Sequence, residues 1–147
     1  MQPNIIRPIV ICVFQHNGCI LAAEGHEPLK GQAFYRPLGG GIEFGEYSAD
    51  AIKREISEEL GTAVVGLRYL GTIENVFAYN GQTGHEIVMV YDGSFADRSL
   101  YEQPFIEALE NDGSLFRAVW VNLSDCAKPG APLLYPTGLL EMLNAQR

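Results

Sequence analysis

Residues 40–62 read GGIEFGEYSADAIKREISEELGT, and the fold turns on how this stretch is read. It opens as a glycine loop, where Gly39, Gly40, Gly41 and Gly45 let the backbone take conformations closed to other residues. It continues as a short acidic helix, expected to begin near Ser48 and to stop at Gly61. On a helical wheel Ala49, Ile52, Ile56 and Leu60 form an apolar stripe that should bury against a core. Glu55, Glu58 and Glu59 fall at i, i+3 and i+4, on one face beside that stripe. Glu55 and Glu59 are like charges one turn apart, an arrangement that costs about 0.2–0.5 kcal/mol in an isolated helix. Only Arg54, one turn before Glu58, offers local relief. A solvated acidic helix would account for the glutamates alone. Three oxygen-bearing anions facing one way also suit a hard divalent cation such as Mg2+ or Mn2+. The preceding glycines favour the cation, because they let the backbone pass close to a ligand.

The segment resembles the Nudix box, the signature of the Nudix hydrolase family. That signature is G, five residues, E, seven residues, then R-E-U-x-E-E-x-G-U, with U a bulky aliphatic. Gly40, Glu46, Arg54, Glu55, Ile56, Glu58, Glu59 and Gly61 match, and Thr62 departs, being polar where an aliphatic residue is usual. Seven positions that each admit one residue type make a chance match on the order of one in a hundred million per starting position. The resemblance implies an α/β fold, an α/β/α sandwich around a mixed β-sheet. It also implies Glu55, Glu58 and Glu59 as metal ligands, with the Gly40 carbonyl often joining them. Arg54 would orient a box glutamate and Glu46 would support that network. A purely structural role for Arg54 and Glu46 stays open beside a catalytic one.

Working outward, residues 8–14 (PIVICVF) form an apolar run of strand length, expected to be buried on both faces. Asn17-Gly18 signals a hairpin, with residues 19–23 returning. Residues 24–32 read as a loop, and residues 34–38 as a short extended segment leading to the glycines. Beyond the helix, residues 64–77 read as a strand bent at Gly66 and Gly71. A turn at residues 81–84 leads to the apolar run 87–91, so the pair suggests a long hairpin. Residues 98–113 are polar and expected to hold a short helix or a loop. Residues 116–123 read as a further strand, and Thr137 as the cap of a last helix through Leu143. No repeat or linker interrupts the chain, so one domain over residues 1–147 is expected.

The formal net charge of −8 argues against nonspecific nucleic-acid binding, which needs a basic footprint. Acidic protein and phosphate-bearing substrate would repel, a conflict that a bound divalent metal removes. The residues from Met1 lack the basic-then-apolar pattern of a secretory signal, and no stretch reaches the length needed to span a bilayer. Three cysteines (Cys12, Cys19, Cys126) form no paired motif. A cytoplasmic protein is the simplest inference.

Metal-assisted hydrolysis suits the constellation: water attacks phosphorus and cleaves the diphosphate of a nucleoside diphosphate linked to another group. The resemblance places the general base either in the box, at Glu55 or Glu58, or in a later carboxylate. Glu86, Glu102, Glu107 and Glu110 are the candidates for the latter. Glu86 opens an otherwise apolar strand, and His85 beside it could contact a proton or phosphate, or be a plain polar strand end. Arg7 and Arg36 could each reach a phosphate, or simply be exposed without a partner. The aromatic residues are assigned no site. Two further readings remain: a catalytically silent Nudix-fold sensing or binding module, and a prenyl diphosphate isomerase, which shares the fold. Many family members are dimers, so a homodimer stays open. Substrate choice is expected to rest on residues 24–33 and 98–113.

Overall fold

Strand β1 (Ile6–His16) is apolar at almost every position from Ile9 to Phe14, which fits a strand covered on both faces. The computed structural model describes residues 4–146; Met1–Pro3, part of the segment read for a secretory signal, lie outside them, as does Arg147. β1 turns at Asn17-Gly18, both at positive φ as a tight hairpin requires, into β2 (Cys19–Glu27). β3 (Gln32–Gly41) precedes helix α1 (Ser48–Leu60). The long strands β4 (Val64–Tyr79) and β5 (Gln82–Phe95) follow, then a 3-10 turn (Arg98–Glu102). β6 (Phe105–Leu109), β7 (Leu115–Asn122), the single-turn helix α2 (Leu123–Cys126), β8 (Leu133–Leu134) and α3 (Leu139–Ala145) complete the order.

The strands run β4-β5-β1-β3-β2-β7-β6, with β8 beside β3. The sheet is mixed: β1 is parallel to β5 and antiparallel to β3. Alternate residues of β1 feed the two layers. Val10, Cys12 and Phe14 pack with Ala51, Ile52 and Ile56 of α1, while Ile9, Ile11 and Val13 pack with Leu139 and Leu143 of α3. Phe14 stacks on Phe95 with centroids 3.9 Å apart. This is the expected α/β/α sandwich. No helix among the described residues is long and apolar enough to cross a membrane.

Several boundaries differ from the sequence reading. Residues 24–32 are largely strand, because β2 and β3 stay paired out to Glu27↔Gln32. The hairpin turn falls at Asn80-Gly81, both at positive φ, and residues 82–84 already belong to β5. The polar residues 98–113 contain β6 as well as the short turn. α3 begins after Gly138 with no side-chain cap, so Thr137 does not cap it. Ser48 does not cap α1 either; its hydroxyl shares a 2.6 Å hydrogen bond with the Tyr91 hydroxyl. The bends in β4 are register shifts between Val65 and Arg68 and between Tyr69 and Gly71, as the glycines suggested. Thr62, the departure from the box, accepts the N–H of Asp97 at 3.2 Å, so its hydroxyl fastens the helix exit to the next loop.

The sheet splits where β3 changes partner. Residues from Gln32 to Pro37 pair with β2, and those from Leu38 to Gly41 pair with β1, while β1 and β2 pair directly only beside their turn. Gly39 lies at this crossing. A Cβ there would run into the Val10 carbonyl oxygen and stand 2.8 Å from Ile11 Cα. Gly39→Ala should therefore cost about 2–3 kcal/mol, seen as a fall of roughly 5–10 °C in melting temperature. Glu27 is a second local fastener. Its carboxylate accepts the backbone N–H of Asn80 at 2.6 Å and of Lys30 at 2.5 Å, tying the ends of two hairpins together. Those N–H groups, Asn80 first, hold the Glu27 carboxyl below its ordinary value. The resulting stability is present above the usual carboxylate range and is lost as pH falls through the depressed folded value. Glu27→Gln should thus melt lower than the parent at pH 7, with the gap closing as pH drops below about 4.

Candidate functional site

α1 presents its acidic face to the crossing of β3, and Arg54 gathers the carboxylates there. Its Nε and Nη2 donate to Glu46 at 2.8 and 3.0 Å, a two-pronged contact that suits the planar guanidinium. Nη2 also donates to the Gly41 carbonyl at 3.0 Å, and Nη1 to Glu55 at 2.9 Å. Glu58 is a looser partner, 3.4 Å away and half exposed. Glu46 in turn accepts the Glu43 N–H, closing the loop before the helix. The Arg54 hydrogen bond, and then the Glu43 N–H, lower the Glu46 carboxyl. The Glu46 contact heads the causes that raise Arg54, ahead of opposing burial and then Glu55. In Glu55 burial wins over the Arg54 contact, so its carboxyl is raised.

Gly40 stands directly in front of Glu55. A Cβ at Gly40 would come 2.5 Å from the Glu55 carboxyl carbon and one of its oxygens. The box glycine is thus required by the approach of that carboxylate. Glu59, one turn on, is buried around Oε1, which has no hydrogen-bond partner among the described residues. Burial first, then the charges of Glu55, Glu110 and Glu58, push its carboxyl up to about 8. Among the described residues no three acidic, histidine or cysteine groups converge as a metal-binding cluster; Glu55 is turned toward Arg54.

Glu59 opens into a cleft of about 310 Å³ at the split in the sheet, lined also by Arg7, Arg36, Gly40, Glu86 and Glu110. Glu86, only 3 % exposed, accepts from Arg36 Nη2 at 2.8 Å and lies 3.9 Å from Arg7. The two arginines are therefore not the partnerless surface groups that sequence allowed; they converge on one buried carboxylate. Of the later carboxylates, Glu86 and Glu110 line this cleft, and Glu102 and Glu107 do not. Glu107 is instead an exposed residue of β6 facing Arg117 in register.

A second cavity, of about 250 Å³, adjoins the first across Arg7, Arg36 and Glu86. Phe34, Phe77 and Tyr135 form its wall, and Asn75 and His85 contribute polar groups. Sequence reading assigned none of these aromatics and overlooked Asn75. A signal did exist: Ile73, Asn75 and Phe77 alternate inward on β4, so an amide stands where an apolar residue is expected. Tyr135 could not have been found, because β8 brings it to β3 over a long sequence separation.

A mixed sheet between helices, with an arginine-centred carboxylate helix at a split between strands, is the arrangement expected of a Nudix domain. The family model described as NUDIX domain matches residues 5–137. The chain belongs to the Nudix family. It is 29 % identical over 122 residues to the NAD-capped RNA hydrolase NudC of Mycobacterium tuberculosis, covering 82 % of this chain and 39 % of that protein. The NAD-capped RNA hydrolase NudC of Pasteurella multocida is 34 % identical over 80 residues, 54 % of this chain and 30 % of that protein. The chain thus spans about two fifths or less of the length of these relatives. Among solved structures, the MutT NUDIX hydrolase from Burkholderia pseudomallei superposes with TM-score 0.65 at 25 % identity, covering 97 % of this chain and 99 % of that one. A NUDIX hydrolase from Nitrosomonas europaea shares the fold at TM-score 0.61 and 19 % identity, over 97 % and 88 % of the two chains.

Arg54→Ala would leave buried Glu55 and Glu46 without their cation. The expected loss is about 3 kcal/mol, at the low end for a broken buried pair because Arg54 keeps a quarter of its exposure. That is a fall of roughly 6–12 °C in melting temperature by circular dichroism. Arg54→Lys, which restores charge without the fork, should recover only part of it.

Proposed function

We propose that this protein is a divalent-metal-dependent hydrolase that cleaves the diphosphate of a nucleoside diphosphate joined to another group, by attack of water on phosphorus. The observation that carries this reading is the pair of adjoining cavities. Glu59 of the box and Glu110 line one, aromatic rings line the other, and Arg7 and Arg36 line both. A substrate with an anionic middle and a flat organic end matches that order.

The donor set fits Mg2+, with Mn2+ as a substitute: Glu55, Glu58 and Glu59 offer only hard oxygen ligands, with the Gly40 carbonyl as a fourth. The partnerless, buried Glu59 oxygen is a group that a cation would satisfy. When bound, such an ion withdraws charge from phosphoryl oxygens and makes water a better nucleophile. The chain's own groups do the rest. Arg54 holds Glu55 and the Gly41 carbonyl in place, so the loop and helix approach substrate as one body. Arg36 gives one N–H to Glu86, and its remaining donors can take phosphate oxygens. Glu86 in turn keeps the two arginines together against their mutual repulsion. Glu110 brings a carboxylate from outside the box to the same cleft, where it can accept the proton of the attacking water. The three cysteines are all free, which suits a reducing cytoplasm. All the box carboxylates are present, which favours an enzyme over a silent sensing module.

The test is hydrolysis of NADH, ADP-ribose, dinucleoside polyphosphates, nucleotide sugars, nucleoside triphosphates and NAD-capped RNA with Mg2+, the last being what the NudC relatives are named for. Release of a nucleoside monophosphate, phosphate or pyrophosphate from at least one is expected, and none from any would overturn the reading. Glu58→Gln should lower turnover about a hundredfold or more with an unchanged melting temperature. Glu59→Gln should weaken Mn2+ binding by calorimetry and, above about pH 8, raise the melting temperature of the metal-free protein, since there it removes a carboxylate whose burial disfavours its charge.

A further inference from the structure

Two buried side-chain oxygens among the described residues have no hydrogen-bond partner: Glu59 Oε1 and Asn75 Oδ1. Each lines one of the two adjoining cavities. Glu59 belongs to the box, so its orphan oxygen is absorbed by the proposed hydrolysis. Asn75 is not in the box, and no hydrogen bond from its side chain occurs among the described residues, although it is only 3 % exposed. A buried amide left unpaired weakens a fold, and an apolar side chain of similar size would avoid the penalty. An unmet amide acceptor on a residue of a cavity wall marks a place where a ligand completes the hydrogen bonding.

We propose that Asn75 selects the organic end of the substrate, its carboxamide pairing with the edge of a nucleobase seated against Phe34, Phe77 and Tyr135. The inference rests on the proposed function and assigns the residue that discriminates among the bases of its nucleoside substrates. Asn75 sits opposite Glu86 in the β4–β5 register, so the amide and the arginine-binding carboxylate are neighbours across one strand pair. The rings are set at angles to one another: Phe34 meets Tyr135 edge to face at 5.4 Å and 74°, and Phe77 is tilted 46° to Tyr135 at 6.4 Å. They offer apolar faces to a flat heterocycle. A carboxamide presents one acceptor beside one donor, the pattern that pairs with a base edge such as N6 and N7 of adenine. Of the three buried polar residues in the wall, Glu27 already accepts two backbone N–H groups and Glu86 accepts from Arg36, so Asn75 is the one left unmatched. A prenyl or other aliphatic chain would fill the cavity and leave the amide unpaired, which disfavours an isoprenoid diphosphate.

The experiment is calorimetric titration of the whole protein, in Mg2+ buffer, with AMP, GMP, CMP, UMP and ribose 5-phosphate. None of these carries a diphosphate, so the result is read whether or not the protein hydrolyses anything. At least one nucleotide should bind tenfold or more tightly than ribose 5-phosphate. Asn75→Leu should lose about tenfold for that nucleotide, keep the ribose 5-phosphate affinity, and melt no lower than the parent. Asn75→Asp, which keeps the size and loses the N–H donor, should change the order of preference among the four nucleotides. The proposal is overturned if no nucleotide binds better than ribose 5-phosphate or if Asn75→Leu weakens both ligands alike or neither. A lower melting point for Asn75→Leu overturns it too, since Asn75 would then serve the fold, as does an unchanged preference order in Asn75→Asp. Failure of turnover in the substrate panel, with these affinities as expected, would remove the hydrolysis and leave the base pocket standing.

Discussion

The contact on which the site depends is the fork of Arg54 on Glu46. Without it, α1 would carry Glu55, Glu58 and Glu59 on one side with only mutual repulsion between them. Arg54 meets Glu46 with two hydrogen bonds, and Glu46 belongs to the loop, so the pair fixes the loop to the helix. The same guanidinium reaches the Gly41 carbonyl and Glu55, so the glycine strand end, the loop and the helix share one cation. Lysine could supply the charge, but its single ammonium lacks the planar fork. This explains why the box specifies arginine there and glutamate eight residues earlier.

Rigid assembly of like charges has a consequence for burial. Glu55 is held close to Gly40, where no side chain would fit, and Glu59 is buried with an oxygen unmet. Natural folds seldom keep such groups unless they serve binding or chemistry, because apolar replacements would be more stable. Glu59 and Asn75, whose orphan oxygens are buried, line neighbouring cavities, so the unmet polarity is concentrated beside the place where substrate is proposed to sit. Elsewhere the core is conventional, as the burial of Val10, Phe14, Ile52 and Leu139 shows.

Much of this was legible beforehand. The box needed no tertiary information, because its spacing is helical and the residues it specifies lie within one loop and one helix. β1 was readable from its continuous apolar run, and the Asn17-Gly18 turn from its dipeptide. The misread strands share one cause. Residues 24–27 are polar with a glycine, and they form strand only because β3 pairs with them; β6 follows the same rule beside β7. Local composition carries no record of such partners. The second hairpin turn is a different case: Asn80-Gly81 is as strong a signal as Asn17-Gly18, and the nearby Gly84 drew attention away from it. For the site, Arg7 and Arg36 were named from their places beside β1 and the glycine loop, but their convergence on Glu86 depends on how three strands meet.

That convergence bears on how an acidic protein can hold an anion. At a formal charge of −8 the mean field repels phosphate, yet binding is decided within a few ångströms, inside the screening length of about 8–10 Å. In the cleft Arg7 and Arg36 meet Glu59, Glu86 and Glu110, and Glu86 lies almost wholly buried against the arginine pair. Its charge acts chiefly to bring two cations together, while their outer donors stay turned to the cavities. Glu59 of α1 and Glu110 line the same cleft, so an anion there meets arginines and glutamates together. Such a position is favourable only when a cation sits among the glutamates. Under the proposed function, recognition of the anion and occupancy by metal would be coupled, since each would make the other less costly.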